Sequence, residues 1–495
     1  MPDRRHPAAI ALPPQCGRVR SETLNGASMP NVVASIALLI WPLVTLALFS
    51  RLSPGRALLA SLLAGYLLLP PLPAEFDPPL LPSLNKDTIP SLSVLFTALA
   101  LGRVRLSELV PRHPLIRIAL VAFLLSPLMT VLSNDDALRY GPRQLPALRL
   151  AEVPGLVILQ ALLVAPFLLA RVFLREARDH RLLLWAMVLG ALAYTLPILI
   201  EIRLSPQINI WVYGYFQHSF SQMVRGDGFR PIVFLYHGLW VAIFVAMAVL
   251  AATGLARQAR GREAVGLWAV TAGLGVVLVL CKSLAALLYT LVLVPVLALT
   301  PRRVQLFGAA AMAALALGYP LLKGAELVPQ DAILAWAESV DPDRAQSMGF
   351  RFDNEDVLLE RAWERPVFGW GIWGRNQIYD PQSGRELTVT DGRWLVVIGT
   401  FGWVGFLAEF SLLAFPVLLL WSRSGRAPPA PVSVTLAVIL GMNLVDLLPN
   451  ATLTPLTFLG AGAVLGLTEM RGARLERSRQ SGGPAMDTAP IRTVL

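Results

Sequence analysis

Long apolar stretches separated by short polar segments recur along almost the whole chain, and they predict its main elements. A helix rises about 1.5 Å per residue, so one that crosses about 30 Å of hydrocarbon needs roughly 20 mostly apolar residues. About 13 stretches come near this length. They cover residues 32–49, 57–70, 89–102, 115–132, 153–169, 182–200, 231–255, 265–281, 284–299, 304–322, 394–421, 432–448 and 453–467.

The lengths of a few stretches affect the count. Residues 57–70 and 89–102 are short for a span, so we predict 12 or 13 membrane helices. A single helix over 265–299 would measure roughly 50 Å, and we therefore predict a turn at Lys282 and Ser283 that makes two helices of it. The predicted fold is an all-α, polytopic integral membrane helical bundle of about 12–13 transmembrane helices, with a large external loop that carries short amphipathic helices.

The amino-acid composition excludes several classes of protein. Hydrophobic residues make up 55% of the chain and charged residues only 15%, against about 25% in soluble domains. This deficit excludes a disordered, collagen-like or nucleic-acid-binding protein. The 42 Lys and Arg residues exceed the 32 Asp and Glu residues, an excess that membrane proteins acquire in cytoplasmic loops, so we expect no nucleic acid partner. Two cysteines, Cys16 and Cys281, predict no disulfide framework and no redox role.

Arginine-rich connections fall on one side of the membrane if the spans alternate. The positive-inside rule makes this side cytoplasmic, together with the C-terminus, and it places the Lys282 turn and the loops 201–230 and 323–393 outside. The connections contain Arg103, Arg105, Arg112 and Arg117, then Arg171, Arg175, Arg178 and Arg181, then Arg257, Arg260 and Arg262, then Arg302 and Arg303, then Arg423 and Arg426, and finally Arg471, Arg474, Arg477 and Arg479.

These predictions divide the chain into regions. The polar leader precedes Met29, which stands directly before the first span and is the start that we expect to be functional. The regions are 1–28, the leader, which we expect not to be native; 29–322, the first membrane helices with the external loop 201–230; 323–393, the large periplasmic loop; 394–468, the C-terminal membrane helices; and 469–495, a basic cytoplasmic tail.

The loop 323–393 is too long, and too rich in Trp, Arg and acidic residues, to be a simple connector. Residues 332–340 predict a short amphipathic helix on the membrane surface. Residues 353–364 predict a second helix, which is capped by Asp353 or Asn354 and ends before the Arg-Pro pair that follows. The alternative is a surface helix that is docked on the bundle without a role in chemistry.

Cationic and titratable side chains collect at the predicted external ends of spans. Arg225 and Arg230 stand before a span that carries His237 about two turns inside, and Lys282 lies at the next external turn. The planar donor fork of arginine suits phosphate, and an ionisable group inside a membrane is costly, so these residues predict a site for an anionic head group. In the alternative interpretation the cations snorkel to lipid phosphates and His237 is a neutral hydrogen bonder.

Other sequence features narrow the chemistry. The chain has no P-loop, no Cys/His metal spacing, no HExxH and no GxSxG motif, so we expect neither a metal nor a cofactor. Glu409 and Asp446 lie within apolar spans, where either could pair with an arginine of the bundle. Nothing near them in the sequence separates a structural role from a catalytic one.

The order of these features resembles the O-antigen ligase and Wzy-type polysaccharide polymerase family, polytopic proteins with one large periplasmic loop late in the chain. The segment RFDNEDVLLERAWERPVFGWG, which begins at Arg351, is similar to that family's Arg-helix-Pro-x-x-Gly-x-Gly segment. LVVIGTFGWVGFL is similar to the Gly-x-x-Gly opening of the family's next span. RGDGFRPIVFLYHGLW resembles the loop-to-span entry of polymerase-like members, and CKSLAAL takes the place of a Ser-Arg pair.

The resemblance implies a GT-C-like, metal-independent glycosyltransferase at the outer face of the bacterial inner membrane. Its partners would be an undecaprenyl-diphosphate-linked oligosaccharide, an acceptor glycan and membrane lipid, with a flippase and a chain-length regulator as protein partners. Basic residues would hold the diphosphate, and a general base would deprotonate the acceptor. The implied binding residues are Arg225, Arg230, Lys282, Arg351 and Arg365, and the implied base is Asp391 or His237.

The chain departs from the ligase pattern at one place. Ligases commonly present a His-Asn pair before the last loop re-enters the membrane, whereas this chain has Thr390, Asp391 and Gly392 there. This difference favours a polymerase of O-antigen or exopolysaccharide over a ligase acting on lipid A core. A transporter or flippase of lipid-linked glycans and a structural subunit of an export assembly are the alternatives. Cations on both external loops favour the enzyme, because a carrier exposes its site alternately to both sides.

Overall fold

The computed structural model describes residues 29–480 except 80, 226–227, 341 and 426–427. Within these residues the regular structure is almost entirely helical, with two small antiparallel hairpins. Each of the apolar stretches predicted from the sequence forms a helix. The protein is therefore an all-α, multi-pass membrane protein, as predicted.

The helices are numbered in the order in which they follow one another along the chain. They are α1 (Val32–Arg51), α2 (Pro54–Leu68), α3 (Thr88–Ala100), α4 (Leu106–Leu109), α5 (Pro114–Leu132), α6 (Val153–Phe173), α7 (Ala177–Leu204), α8 (Ile208–Tyr213), α9 (Gly238–Ala256), α10 (Gly261–Leu280), α11 (Leu284–Leu299), α12 (Arg302–Gly324), α13 (Gln330–Val340), α14 (Pro342–Trp363), α15 (Arg393–Ser422), α16 (Pro431–Asp446) and α17 (Pro455–Gln480). The strands are β1 (Leu138–Tyr140), β2 (Arg143–Leu145), β3 (Val224–Arg225) and β4 (Gly228–Phe229).

Among the described helices, eight are long and apolar enough to cross a membrane by length and composition. Helices α2, α3, α11 and α16 are apolar but shorter. Helix α9 lies at the centre of the bundle, in contact with α7, α10, α11 and α16, and nearly all of its side chains are buried. Helices α1, α10 and α11 instead expose many leucine and valine side chains, which is the surface that lipid contact requires.

The predicted division of the apolar run over 265–299 is confirmed. Helix α10 ends at Leu280 and α11 begins at Leu284. Between them Lys282 has a φ of 53°, in the left-handed region that reverses the chain within a few residues. This turn presents the lysine side chain at the end of the bundle.

The arginine-rich connections meet at the other end of the bundle. Arg171 forms a buried ion pair of 2.7 Å with Glu469 on α17, and the same carboxylate accepts the backbone N–H of Arg112 at 2.6 Å. Arg257, after α9, donates to the carbonyl oxygens of Leu297 and Thr300 at the end of α11. Connections that are far apart in sequence are thus joined at one end.

Helix α15 is interrupted at Gly402, whose φ of 66° and ψ of −168° are not helical. Arg393 and Glu409 are sixteen residues apart and would be separated by about 24 Å in a straight helix. Instead, two guanidinium nitrogens of Arg393 each lie 2.7 Å from an oxygen of Glu409. The first part of α15 therefore folds back on the second, and Arg393 is the partner of Glu409 that the sequence left open.

The segment after α14 supports this interruption. The backbone N–H of Trp403 donates to the Pro366 carbonyl at 2.7 Å, and the N–H of Trp370 donates to the Gly399 carbonyl at 2.8 Å. A β-carbon at Gly402 would lie 2.3 Å from the carbonyl oxygen of Val367. Glycine is therefore required at Gly402 by both conformation and space.

The two helices predicted within the long loop are present, but the start of the second was predicted wrongly. Helix α14 begins at Pro342 rather than at residue 353. Asn354 does not cap it, because its side chain donates to the Phe350 carbonyl at 2.7 Å and accepts the N–H of Val389 at 2.8 Å. Asp353 does not cap it either, because the helix begins at Pro342 and Asp353 lies inside it. The predicted end before the Arg-Pro pair is correct.

The predicted depth of His237 is also wrong. Helix α9 starts at Gly238, and His237 is its N-cap residue rather than a residue two turns inside. The preceding segment is held out of the helix by Glu201 of α7. Its carboxylate accepts the N–H groups of Ile232 at 2.7 Å and Val233 at 2.8 Å.

The alternation of the spans predicts opposite locations for two exposed sites. Reporter fusions after Ser347 should lie outside, and fusions after Arg260 should lie in the cytoplasm, when phosphatase and fluorescence reporters are compared at each site. The same location for both sites would contradict the order of spans. Two further fusion sites suggested by the sequence, Asp227 and Arg426, lie outside the described residues.

Removal of the charge on Glu409 should be strongly destabilising. In Glu409→Gln the guanidinium of Arg393 loses its paired charge, and we expect the free energy of unfolding to fall by about 3–5 kcal/mol in detergent. The matched control is Glu263→Gln, whose ion pair with Arg181 is about half exposed and should contribute less than about 1 kcal/mol. Equal effects of the two substitutions would contradict the role given to the buried pair.

Candidate functional site

Most of the residues predicted for the site lie together at the end of the bundle opposite to the arginine-rich connections. His237 lies among them, because the charges of Arg225, Arg230 and Arg351 all act on its imidazole. Lys282 contacts the two arginines of the hairpin, and Asp391 contacts Arg351. We call this group of residues the external site. It consists of Arg225, Arg230, His237, Lys282, Arg351 and Asp391.

The hairpin β3–β4 is fixed to the turn between α10 and α11 by two reciprocal hydrogen bonds. The ammonium of Lys282 donates to the Arg225 carbonyl at 2.5 Å, and the Arg230 guanidinium donates to the Lys282 carbonyl at 2.9 Å. A β-carbon at Gly228 would lie 3.0 Å from the lysine nitrogen, so glycine permits this approach. Arg230 is buried by these contacts, whereas the Arg225 side chain is exposed.

A second histidine, His218, lies beside His237, with 4.8 Å between the ring centroids. The Nδ1 atom of His237 accepts the N–H of Leu239 at 3.1 Å, and the Nδ1 atom of His218 accepts the N–H of Ser219 at 2.7 Å. These hydrogen bonds assign the proton of each neutral imidazole to Nε2. Both rings therefore present an N–H donor rather than a proton acceptor at their outer nitrogen.

The electrostatics of the external site keep these imidazoles uncharged. Burial, followed by the charges of His218 and of the nearby arginines, lowers the pKa of His237 to about 3. Burial also lowers the pKa of His218. Neither ring adds a positive charge at neutral pH, so the cations of the site are the arginines and Lys282.

Arg351 and Asp391 form an ion pair in the external site. The Nε atom of Arg351 lies 3.2 Å from a carboxylate oxygen of Asp391, and about a third of each side chain is exposed. Burial raises the pKa of Asp391, and the charge of Arg351 opposes this effect. Asp391 is positioned by the start of α15, where the N–H of Arg393 donates to the Leu447 carbonyl at 3.0 Å.

Glu355 lies one turn after Arg351 on α14 and was not singled out from the sequence. The Tyr319 hydroxyl donates to its carboxylate at 3.0 Å, and Lys323 lies 3.7 Å away. Burial raises the pKa of Glu355 to about 7, although Lys323 acts in the opposite direction. The i, i+4 spacing from Arg351 was the signal in the sequence, and the twelve other acidic residues of the loop obscured it.

Asp446, at the end of α16, is the second acidic residue whose role the sequence left open. Its carboxylate accepts hydrogen bonds from the Asn450 amide at 2.9 Å and from the Thr452 hydroxyl. The charge of Arg351 and the hydroxyl of Tyr289 also act on it. Asp446 is therefore held by neutral donors.

Arg365, which the sequence grouped with the site, lies elsewhere. Fourteen residues of mostly helical chain separate it from Arg351, a distance of roughly 20 Å. Its guanidinium donates to Asn134 at 2.7 Å and to Asp136 at 2.8 Å, and it packs over the ring of Trp370. These contacts attach the long loop to the end of α5.

Comparisons of the chain with protein-family models, with curated proteins and with solved structures find no match. The resemblance described above therefore stays a prediction. Among the described residues, no group of three or more His, Cys, Asp or Glu side chains is arranged to hold a metal ion.

The external site combines two chemical capacities. The hairpin and the Lys282 turn supply cationic and neutral N–H donors, which suit a phosphorylated group. Asp391 supplies a partly exposed carboxylate, paired with Arg351, that can accept a proton. The arrangement is suited to bind an anion and to deprotonate a neighbouring hydroxyl.

The low pKa of His237 predicts how stability depends on pH. Its pKa of about 3 in the folded protein lies below the value of about 6.5 in an unfolded chain. Its contribution to stability is complete above pH about 6.5 and is lost as the pH falls from there toward 3. The loss of Tm between pH 7 and pH 5 should therefore be smaller in His237→Gln than in the wild type. Identical pH profiles would show that the imidazole is not held neutral.

Proposed function

We propose that this protein is a glycosyltransferase that polymerises lipid-linked oligosaccharide repeats at the periplasmic face of the bacterial inner membrane. The supporting observation is the external site, in which the charges of Arg225, Arg230 and Arg351 all act on His237 and Arg351 is paired with the Asp391 carboxylate. The family resemblance supplies the substrate class, an undecaprenyl-diphosphate-linked donor and a glycan acceptor. The reaction proposed is independent of metal and cofactor.

In this proposal the cationic part of the site holds the diphosphate of the donor. Breakage of the glycosyl–phosphate bond leaves negative charge on the diphosphate, and fixed positive donors stabilise it. Arg225 is exposed and has the planar fork that suits phosphate oxygens. Arg230 contributes charge, and it also holds the hairpin through the Lys282 carbonyl.

Asp391 is the proposed general base, and His237 is not. The Nδ1 atom of His237 is occupied by the Leu239 N–H, its Nε2 atom carries the proton, and its pKa of about 3 makes it a poor acceptor. Asp391 takes the proton of the acceptor hydroxyl while the hydroxyl oxygen bonds to the anomeric carbon. The bond from that carbon to phosphate breaks, and its electron pair leaves with the diphosphate.

The placement of the cations supports an enzyme over a transporter. They are collected at one end of the bundle, whereas a carrier needs a site that opens to both sides. The arginine-rich opposite end, with the C-terminus, is assigned to the cytoplasm by the positive-inside rule. On this assignment the external site faces the periplasm, where lipid-linked repeats are polymerised.

The length distribution of surface glycans in a deletion strain tests the proposed function. A polymerase requires that long chains disappear while single repeats are retained. Long chains that accumulate on the lipid carrier would instead indicate a ligase, and loss of all surface glycan would indicate export. Either of these results would reject the polymerase.

Substitutions in the external site should separate the base from the donors. Asp391→Asn should reduce polymerisation about a hundredfold or more, whereas His237→Gln should have a much smaller effect. Arg225→Lys should impair polymerisation because it loses the fork, and Arg225→Ala should impair it more. The measurement is the rate of chain extension by membranes that contain equal amounts of each variant.

The matched control is Arg139→Lys, an exposed arginine of β1 that is not part of the external site. It should extend chains at the wild-type rate. Full extension by both Asp391→Asn and Arg225→Lys would reject the assignment of the site.

A further inference from the structure

A polar cavity lies at the arginine-rich end of the bundle, opposite to the external site. It is bounded by the last turns of α9 and α11 and by the first turns of α12 and α16. Its volume is about 130 Å³, whereas about 10–15 Å³ is sufficient for one water molecule. The cavity therefore has room for a group of several heavy atoms.

The charged groups that line this cavity are arginines. The side chains of Arg257 and Arg302 lie at it, and none of the described residues that line it is acidic. The Nη1 atom of Arg257 lies 2.6 Å from two carbonyl oxygens of the α11 end, and the Nη1 atom of Arg302 lies 3.1 Å from the Pro429 carbonyl. A guanidinium has donors on its other nitrogens as well, so these bonds anchor each group without exhausting it.

The neutral lining completes a polar, anion-compatible wall. Its polar residues are Gln258, Gln305 and Thr435. Gly254 lies close to Thr435, since a β-carbon at this position would be 2.3 Å from the Thr435 hydroxyl oxygen, and no larger residue fits there. Helices α12 and α16 begin at the cavity without a side-chain cap, so their positive ends add to the field of the two arginines.

The surroundings of the cavity favour a ligand that has an apolar part. Leu299, Val304 and Phe307, on the ends of α11 and α12 beside it, are exposed by 80%, 48% and 58% of their surface. The ring of Phe307 packs against Trp421 with 6.2 Å between centroids. Tryptophan side chains such as Trp421 are typical of the level of lipid head groups.

We propose that this cavity binds the phosphate group of an anionic phospholipid, with the acyl chains lying along the exposed ends of α11 and α12. A free phosphate ion has the same charged group, but it has no acyl chains that could contact the exposed apolar residues. The inference does not depend on the proposed function of the external site, because it concerns the other end of the bundle.

Lipid binding to the purified full chain tests this site. The probes are phosphatidylglycerol, phosphatidylcholine and inorganic phosphate, titrated into the protein in detergent and followed by native mass spectrometry. The wild type should prefer phosphatidylglycerol. In the double variant R257Q/R302Q its affinity should fall about tenfold or more, as expected for the loss of charge-assisted hydrogen bonds.

The matched control is R260Q/R262Q, which removes the same charge from the same end of the bundle at residues that do not line the cavity. It should change the affinity by less than about twofold, because exposed charges contribute little. Equal losses in the two double variants would reduce the effect to general electrostatic attraction and would overturn the proposal.

A third variant keeps the test decisive if the loss of Arg257 impairs folding through its bonds to α11. Gln258→Trp retains both arginines but places a large side chain in the lining of the cavity, and it should weaken phosphatidylglycerol binding to a similar degree. Unchanged binding in Gln258→Trp would overturn the cavity as the site. Inorganic phosphate that binds more tightly than phosphatidylglycerol would overturn the assignment to a lipid.

Discussion

The ion pair between Arg393 and Glu409 is the interaction on which the geometry of the external site depends. A charge in the apolar interior is costly unless an opposite charge satisfies it, and here the guanidinium and the carboxylate meet through two bonds of 2.7 Å. The pair holds the first part of α15 folded back across the interruption at Gly402. Because Asp391 lies two residues before Arg393, the same pair determines where the candidate base is placed.

Other polar contacts likewise attach loops to the helices of the bundle. Lipid is as apolar as the helices, so hydrophobic burial does little to hold one membrane helix against another, and polar contacts have to supply specificity. Arg365 and Asp136 attach the long loop to α5, and Glu201 holds the segment before α9 in a non-helical path. The Glu201 contact fixes the segment that leads into His237, whereas the Arg365 contact fixes the long loop at a distance from the external site.

The sequence predicted the positions of the apolar helices well, because contact with lipid requires apolar side chains along a helix and thus leaves a local signal. Of the 12 or 13 spans predicted, eight of the described helices are long and apolar enough to cross a membrane. The prediction failed where a distant residue decides the local structure. The start of α9 is determined by the Glu201 carboxylate more than thirty residues earlier, so His237 was placed two turns too deep. Arg365 has the spacing of a site residue, and only the three-dimensional contact with Asp136 separates it from Arg351.

Burial has opposite consequences for the two titratable side chains of the external site, His237 and Asp391. His237 lies among cations, and burial keeps it neutral, so its Nε2 hydrogen adds a donor to the site without adding charge. Asp391 lies beside one cation, and burial makes it a better proton acceptor than an exposed carboxylate. In the proposed reaction, a donor diphosphate that engages Arg351 would weaken the ion pair with Asp391 and raise the pKa of that carboxyl further. Donor binding would thereby strengthen the base at the moment when the acceptor hydroxyl has to be deprotonated.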